Sequence, residues 1–372
     1  MGKIARVVRP FTIDVPLSEV AELRQRLHEA RWPEGVTDTG GIARAEMMRL
    51  VTRWRDIFDW GAQQAWLNSY EHLLVHIDDL RLHAVRLRSS RSTPVPPIVL
   101  LHGWPGSFVE LLPLGSRLRE HFDVLIPSIP GFGFSSIPTM RGMSNRRIAQ
   151  VIVRLADALG YETFAVHGGD IGAGVASWMA IDYPQRIRFL HLNFIPGSYS
   201  PEPVDDISPD ERAFLQRRSA WADQHGAYSH LQRTTPLTVA YALTDSPLGL
   251  AAWVLEKFIL WSDPASHIAD EILLTNLSIY WFTKTIASSM RYYLESVATP
   301  LRIPAQQRVA ASTHIAHFPY EMPFPPRSWV ERGYSVTRWT EMSRGGHFAA
   351  LEAPDLLADD IVAAACPVES PA

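Results

Sequence analysis

His167-Gly-Gly-Asp-Ile-Gly172 is the stretch on which the reading of this chain turns. Thr163-Phe-Ala-Val166, just before it, reads as a short buried strand. Ile171-Gly-Ala-Gly-Val-Ala-Ser-Trp-Met-Ala180, just after, reads as a helix of small residues. A strand, a glycine-flanked turn and a close-packed helix make a nucleophile elbow, which holds one side chain on a strained turn above a sheet. The frame Gly168-Gly-Asp-Ile-Gly172 puts Asp170 where a serine esterase has its serine. A carboxylate there can attack carbon and form an ester. Asp at the start of a helix also serves as a plain cap, and this stretch alone leaves both roles open.

Working outward, strands and helices alternate on both sides. Ile98-Val-Leu-Leu101 is an apolar run followed by His102-Gly-Trp-Pro-Gly106 and a helix through Leu111 and Leu118. Val124-Leu-Ile126 forms the next strand and ends in Pro130-Gly-Phe-Gly-Phe-Ser135. Ser144 is placed to cap a helix carrying Ile148, Val151, Ile152, Leu155 and Leu159, closed by Gly160. Ile187-Arg-Phe-Leu-His-Leu-Asn-Phe194 follows the elbow helix. This alternation predicts an α/β fold with a mostly parallel, doubly wound sheet and sites at strand C-termini. The rhythm stops between about Ile195 and Pro300, where the chain turns helical and aromatic. It returns with Arg308-Val-Ala-Ala-Ser-Thr313, Ser335-Val-Thr-Arg-Trp-Thr340 and a terminal helix from Pro354 to Ala365.

Two further residues fall at strand ends. His347, in Arg344-Gly-Gly-His-Phe-Ala349, is positioned to act as a general base beside the elbow. Glu321, in His317-Phe-Pro-Tyr-Glu-Met322, is positioned to orient that imidazole. Alone, each is equally a loop histidine or a surface carboxylate. The order nucleophile, acid, histidine at three strand ends favours a joint role.

Toward the N-terminus, Leu17, Val20, Leu23 and Leu27 predict one face of a helix stopped by Pro33. Met47, Leu50, Val51, Trp54 and Phe58 predict a second helix from Ala43 to Phe58. Leu73 to Leu87 predicts two strands turning at Asp78-Asp79. His76 and His83 in them have no metal-ligand spacing and read as structural. The expected division is a helical arm over 1–95, core over 96–195, a helical cap over 196–300 and core again over 301–372.

A net charge of −4 gives no case for nucleic acid or an anionic membrane surface. Cys366 is the single cysteine, which excludes an intrachain disulfide and suits a reducing cytoplasm. Met1-Gly-Lys-Ile-Ala-Arg6 has no apolar signal core, and no run approaches a membrane span. A soluble chain is expected. Lys3, Lys257 and Lys284 are the only lysines, an arginine bias suggesting a GC-rich bacterial genome.

The ordered motifs resemble the microsomal type of epoxide hydrolase, in the α/β-hydrolase superfamily, over nearly the whole chain. They include Arg9-Pro-Phe-Thr-Ile-Asp-Val-Pro16, the Leu-Arg-Gln-Arg-Leu run at 23–27, His102-Gly-Trp-Pro105, Pro130-Gly-Phe-Gly-Phe-Ser135 and the Asp170 elbow. Tyr228-Ser-His-Leu-Gln-Arg-Thr-Thr-Pro236, Asp245-Ser-Pro-Leu-Gly-Leu250, Arg291-Tyr-Tyr293 and Arg344-Gly-Gly-His-Phe-Ala-Ala-Leu-Glu-Ala-Pro354 extend the match. The hydrophobic anchor of membrane-bound members is missing before the arm, which points to a soluble bacterial form.

The resemblance implies that Asp170 opens an epoxide to a hydroxyalkyl ester, with Tyr228 and Tyr293 donating to the leaving oxygen. It implies that His347, steadied by Glu321, activates water to release a vicinal diol. Trp104 and Ile171 would supply oxyanion N–H donors, and the Trp104 ring would line the pocket. Tyr293 is preferred to Tyr292 by motif alignment alone. Partners are then an apolar or aromatic epoxide and water, with no metal or organic cofactor and an open oligomeric state. A haloalkane dehalogenase shares the Asp–His–acid logic, but there a tryptophan typically follows the nucleophile. A silent small-molecule receptor on the same fold is the alternative from another class. Detoxification and natural-product biosynthesis both remain open.

Overall fold

Period-two burial in the first third of the chain and buried apolar runs in the middle build one continuous sheet. The computed structural model describes residues 8–34, 40–203, 206–304 and 307–365. Lys3, the Met1–Arg6 stretch and Cys366 lie outside the described residues. In chain order come β1 (Val8–Phe11), α1 (Leu17–His28), α2 (Arg44–Asp56), α3 (Trp60–Leu67), β2 (Glu71–Ile77), β3 (Leu80–Leu87) and β4 (Pro97–Leu101). A 3-10 turn at Phe108–Leu111 leads to α4 (Leu112–Leu118), β5 (Asp123–Pro127), α5 (Asn145–Ala158), β6 (Phe164–Gly168), α6 (Asp170–Asp182) and β7 (Ile187–Leu192).

Between β7 and the next long strand lie β8 (Ser200–Pro201), α7 (Pro209–His225), α8 (Ala227–Thr234), α9 (Pro236–Asp245), α10 (Pro247–Trp261), α11 (Asp270–Thr283), α12 (Ile286–Ser296) and β9 (Arg302–Ile303). The chain ends with β10 (Val309–His317), α13 (Arg327–Glu331), β11 (Tyr334–Glu341), α14 (Ala349–Glu352) and α15 (Pro354–Ala365). The nine-stranded sheet runs β1-β2-β3-β5-β4-β6-β7-β10-β11. Neighbours from β5 to β11 are parallel, while β1, β2 and β3 pair antiparallel on one side. β8 and β9 form a separate parallel pair that closes the neck of the helical insertion.

The helices follow their apolar spacing. Ile148, Val151, Ile152 and Leu155 on α5 are buried toward α6 and the sheet, while Met47, Leu50, Val51 and Trp54 on α2 are buried among α1, α10 and α11. Some expectations need correction. Leu17 is 84% exposed, because it opens α1 before the helix meets its neighbours, and α1 ends at His28, ahead of Pro33. Ser144 occupies the N-cap of α5 without a side-chain cap bond. The antiparallel strand β1 and helix α3 were not foreseen. Each is short, and Pro10 interrupts the strand pattern.

The N-terminal elements reach the site through α11. Trp54 Nε1 donates to Ser278 Oγ at 2.9 Å, Arg49 pairs with Asp270, and Arg53 with Glu271. From α11, Asn276 Nδ2 donates to the Pro105 carbonyl at 2.8 Å and the Tyr280 hydroxyl to that of Gly106 at 2.9 Å. The arm thus braces the helix that holds the His102–Gly106 loop.

The histidine network differs from the sequence expectation. His83 Nε2 meets His72 Nδ1 at 2.8 Å, and Ser128 Oγ meets His83 Nδ1 at 2.8 Å, while His76 is exposed. Burial, the first cause in each case, depresses the pKa of His72, His83, His102, His167 and His314, to about 4 for His102 and His314. The unfolded chain binds protons at these rings near the ordinary value of 6.5, so stability falls as pH drops below it. Each ring costs up to about 1.4 kcal/mol per pH unit within that window. The urea midpoint is expected to fall steeply between about pH 7 and pH 5; a flat midpoint would contradict this account.

Candidate active site

Asp170 stands at the tip of β6 with φ of 44°, a left-handed conformation uncommon for a residue with a Cβ. The turn closes this tightly because its glycines leave no room for side chains. A Cβ on Gly172 would lie 2.1 Å from the Leu101 carbonyl oxygen of β4. Facing it, the His102–Gly106 loop leaves the end of β4 through a cis Trp104–Pro105 bond. A Cβ on Gly103 would lie 2.5 Å from Asp170 Cβ, so glycine there lets the loop touch the elbow. The Trp104 N–H donates to Asp170 Oδ1 at 2.8 Å, and the Ile171 N–H also favours the charged carboxylate. Burial is the larger influence and raises the Asp170 pKa against these donors and the nearby His347.

His347 follows β11 on a loop pinned from several sides. Its N–H donates to the Trp261 carbonyl at 3.0 Å, and the Gly345 N–H donates to Asp263 Oδ2 at 2.9 Å. Its ring is enclosed by the edges or faces of Phe194, Trp261 and Phe348. Nε2 lies 3.8 Å from Asp170 Oδ2, and Nδ1–H donates to Glu321 Oε1 at 2.7 Å. The Met322 N–H donates to the same oxygen at 2.8 Å. Glu321 Oε2 is buried with no partner among the described residues. Burial opposes charge on the imidazole, but Glu321, then Asp170 and Glu110, overcome it and push its pKa up to about 9.

The aromatic residues gather over the Asp170 turn. Tyr228 lies flat on Trp104, with centroids 5.4 Å apart and planes at 6°, and Tyr293 meets Trp104 edge-on at 5.8 Å. The two tyrosine rings are 6.0 Å apart. Burial, reinforced by the charge of Asp170, pushes both hydroxyls above the ordinary range. The Lys257 ammonium sits 4.9 Å from the centroid of Tyr228. Tyr292 points elsewhere and donates its hydroxyl to Asn145 Oδ1. Asp170, Glu321, His347, Tyr228, Tyr293, Trp104 and Ile171, distant in sequence, therefore meet in one region.

One acid at this site escaped the sequence reading. Glu110 lines a cavity of about 30 Å³ together with Asp170, His347, Gly103 and Asn193. Burial pushes its carboxyl up to about 8. The available signal was a lone carboxylate inside the apolar run Phe108-Val-Glu-Leu-Leu112. Among the described residues, no group of three or more His, Cys, Asp or Glu side chains is arranged to hold a metal ion. Nor is any helix among them long and apolar enough to cross a membrane.

Comparison with known proteins follows the same outline. A family model for the epoxide hydrolase N terminus matches residues 8–111, and one for the alpha/beta hydrolase fold matches residues 96–243. A protein of Stigmatella aurantiaca, provisionally named an epoxide hydrolase, is 38% identical, covering 95% of this chain and 84% of that protein. The chain belongs to the epoxide hydrolase family. Epoxide hydrolase 1 of Oryctolagus cuniculus is 33% identical over 95% of this chain and 88% of its own. The crystal structure of juvenile hormone epoxide hydrolase from Bombyx mori superposes with a TM-score of 0.86 at 28% identity, covering 96% of this chain and 94% of that one. Epoxide hydrolase membership makes the chain a hydrolase acting on epoxides, which removes the haloalkane and silent-receptor alternatives.

The geometry predicts a measurable shift at His347. Glu321→Gln removes the first influence that raises the imidazole pKa and leaves burial to lower it. NMR titration of a ring-labelled histidine should place His347 clearly below the wild-type value of about 9. An unchanged value would mean that Glu321 does not set the charge of this ring.

Proposed function

We propose that this epoxide hydrolase works through a covalent ester on Asp170 that His347 then hydrolyses, beneath a cap formed by α7 to α12. The observation that carries the reading is the line from Glu321 through His347 to Asp170, with one Asp170 oxygen already held by the Trp104 N–H. In this reading Oδ2 attacks a ring carbon, the carbon–oxygen bond breaks, and Tyr228 and Tyr293 donate to the oxygen that leaves. Oδ1 becomes the ester carbonyl oxygen, facing the N–H groups of Trp104 and Ile171.

His347 Nε2 then takes a proton from water, whose oxygen adds to Asp170 Cγ. The tetrahedral oxyanion collapses and expels the diol oxygen, which takes the proton from the imidazolium. The tyrosinate left by ring opening first takes the proton that the resting imidazolium carries, and the carboxylic proton left on Asp170 later restores that imidazolium, so the sum is epoxide plus water to vicinal diol. Every hydrogen and electron pair is accounted for by these side chains and water.

The rings of Trp104, Tyr228, Trp261 and Tyr293 around Asp170 support an apolar epoxide as substrate. The cysteine-poor composition supports a reducing cytoplasm as its compartment.

Removing the base should separate the two halves of the cycle. His347→Gln is expected to open the epoxide and stall, and intact-protein mass spectrometry should detect an adduct of substrate mass on Asp170. Protein that stays unmodified, with substrate bound and unconsumed, would mean that His347 acts during ring opening and would overturn the division of labour.

The tyrosines are tested by the rate of adduct formation. Tyr228→Phe and Tyr293→Phe should each cost about 2–3 kcal/mol of transition-state stabilisation, and the double variant should nearly abolish alkylation. Tyr292→Phe, whose hydroxyl is engaged with Asn145, should alkylate close to the wild-type rate. Normal alkylation by the double variant would reduce the pair to packing.

A further inference from the structure

Glu110 reaches the site from the turn that follows the Trp104 loop. It lies in the 3-10 turn after the His102–Gly106 loop and is folded back beneath that loop. Its Oε1 accepts from the Gly103 N–H at 3.3 Å, one residue before the amide that holds Asp170. A Cβ on Gly106 would lie 1.5 Å from Glu110 Oε2. Within one loop, Gly103 thus makes room for the carboxyl of Asp170 and Gly106 for that of Glu110.

The two carboxyls share the cavity of about 30 Å³, whose walls also include His347, Gly103, Asn193 and His167. A buried water needs roughly 10–15 Å³ by this measure and two to four polar partners. The cavity therefore has room for one or two waters, with several polar groups to hold them. Tyr228 and Tyr293 are not among its walls; their rings pack on that of Trp104.

We propose that this cavity seats the hydrolytic water and that Glu110 is the positioning residue that holds it against His347. The inference rests on the reading of Asp170 as nucleophile and His347 as base. A Glu110 carboxyl oxygen accepts one hydrogen of the water while His347 Nε2 removes the other. The lone pair left on the water oxygen then forms the new bond to Asp170 Cγ, and the carbonyl π pair moves to Oδ1. Glu110 itself exchanges no proton. Burial pushes its carboxyl up to about 8, against the Gly103 N–H and His347, so it carries less charge beside Asp170 than an exposed carboxylate would. The other titratable groups facing it are Asp170, His167 and His347 within the cavity and Tyr280 on α11.

Rapid-quench kinetics with intact-protein mass spectrometry on Glu110→Leu and Glu110→Gln tests this. In Glu110→Leu, alkylation should stay within roughly threefold of wild type while ester hydrolysis slows roughly 100-fold, so the adduct accumulates. Glu110→Gln keeps an acceptor oxygen of the same shape and should recover hydrolysis to within roughly fivefold of wild type. Should Glu110→Leu fail to fold, Glu110→Ala carries the same comparison. Wild-type hydrolysis in the apolar variant, equal slowing of both steps, or no recovery with glutamine would each overturn the assignment. His347→Gln run alongside separates the two levels. No adduct in that variant removes the parent reading, whereas an adduct there with normal hydrolysis in Glu110→Leu removes only the role of Glu110.

Discussion

The left-handed backbone of Asp170 is the constraint around which the rest is arranged. An L residue at φ of 44° resists that geometry, and only tight surroundings keep it there. Those surroundings are the end of β4 against Gly172, the loop amide of Trp104 on the carboxylate, and α6 packed on the sheet. The loop is in turn held by Asn276 and Tyr280 of α11, which the N-terminal helices brace. A residue near position 54 therefore contributes to the aim of a carboxylate at 170 through two layers of contacts.

The charges of the site are coupled in a way that suits a two-step cycle. With Asp170 ionised, His347 is held cationic by Glu321 and Asp170. In the proposed cycle, ester formation cancels the charge of Asp170, and one of the influences that raise the imidazole pKa disappears. Burial by Phe194, Trp261 and Phe348 remains and favours the neutral ring. At the proposed ester stage more of the imidazole is therefore neutral and free to take a proton, with Glu321 still in place to steady the cation that results.

Much of this was legible from residues alone because the elbow depends on glycine spacing, which one sequence displays. Asp170, Glu321 and His347 each follow a strand, and a parallel sheet gathers strand ends whatever their separation in the chain. Legibility failed where three-dimensional packing decides. Tyr292 and Tyr293 are adjacent, and only the rotation of α12 sends one hydroxyl to Asn145 and the other ring to Trp104. Glu110 sits among apolar residues in sequence, and nothing local announces that it folds back under Gly106. His72 and His76 lie on the same face of β2, and it is His72 that shares the buried chain with His83 because the rings of Phe11 and Phe108 cover its end of the strand, while His76 lies beside the exposed turn.

The way the insertion is fastened governs how a substrate gets in. The end of α10 is tied to the His347 loop through the Trp261 carbonyl and Asp263. Glu211 on α7 is bound by Arg332 and Ser328, and α12 is tied at Ser288, Arg291 and Tyr292. Helices α8 and α9 pack chiefly on α12, α10 and α7 instead. Entry past α8 would carry Tyr228 away from Tyr293 while leaving Asp170 and His347 in place. On the proposed roles, an open molecule of that kind keeps its nucleophile but only one of its two proton donors. Variation along α9 would then reshape the rim of the insertion without touching Asp170, His347 or Tyr228.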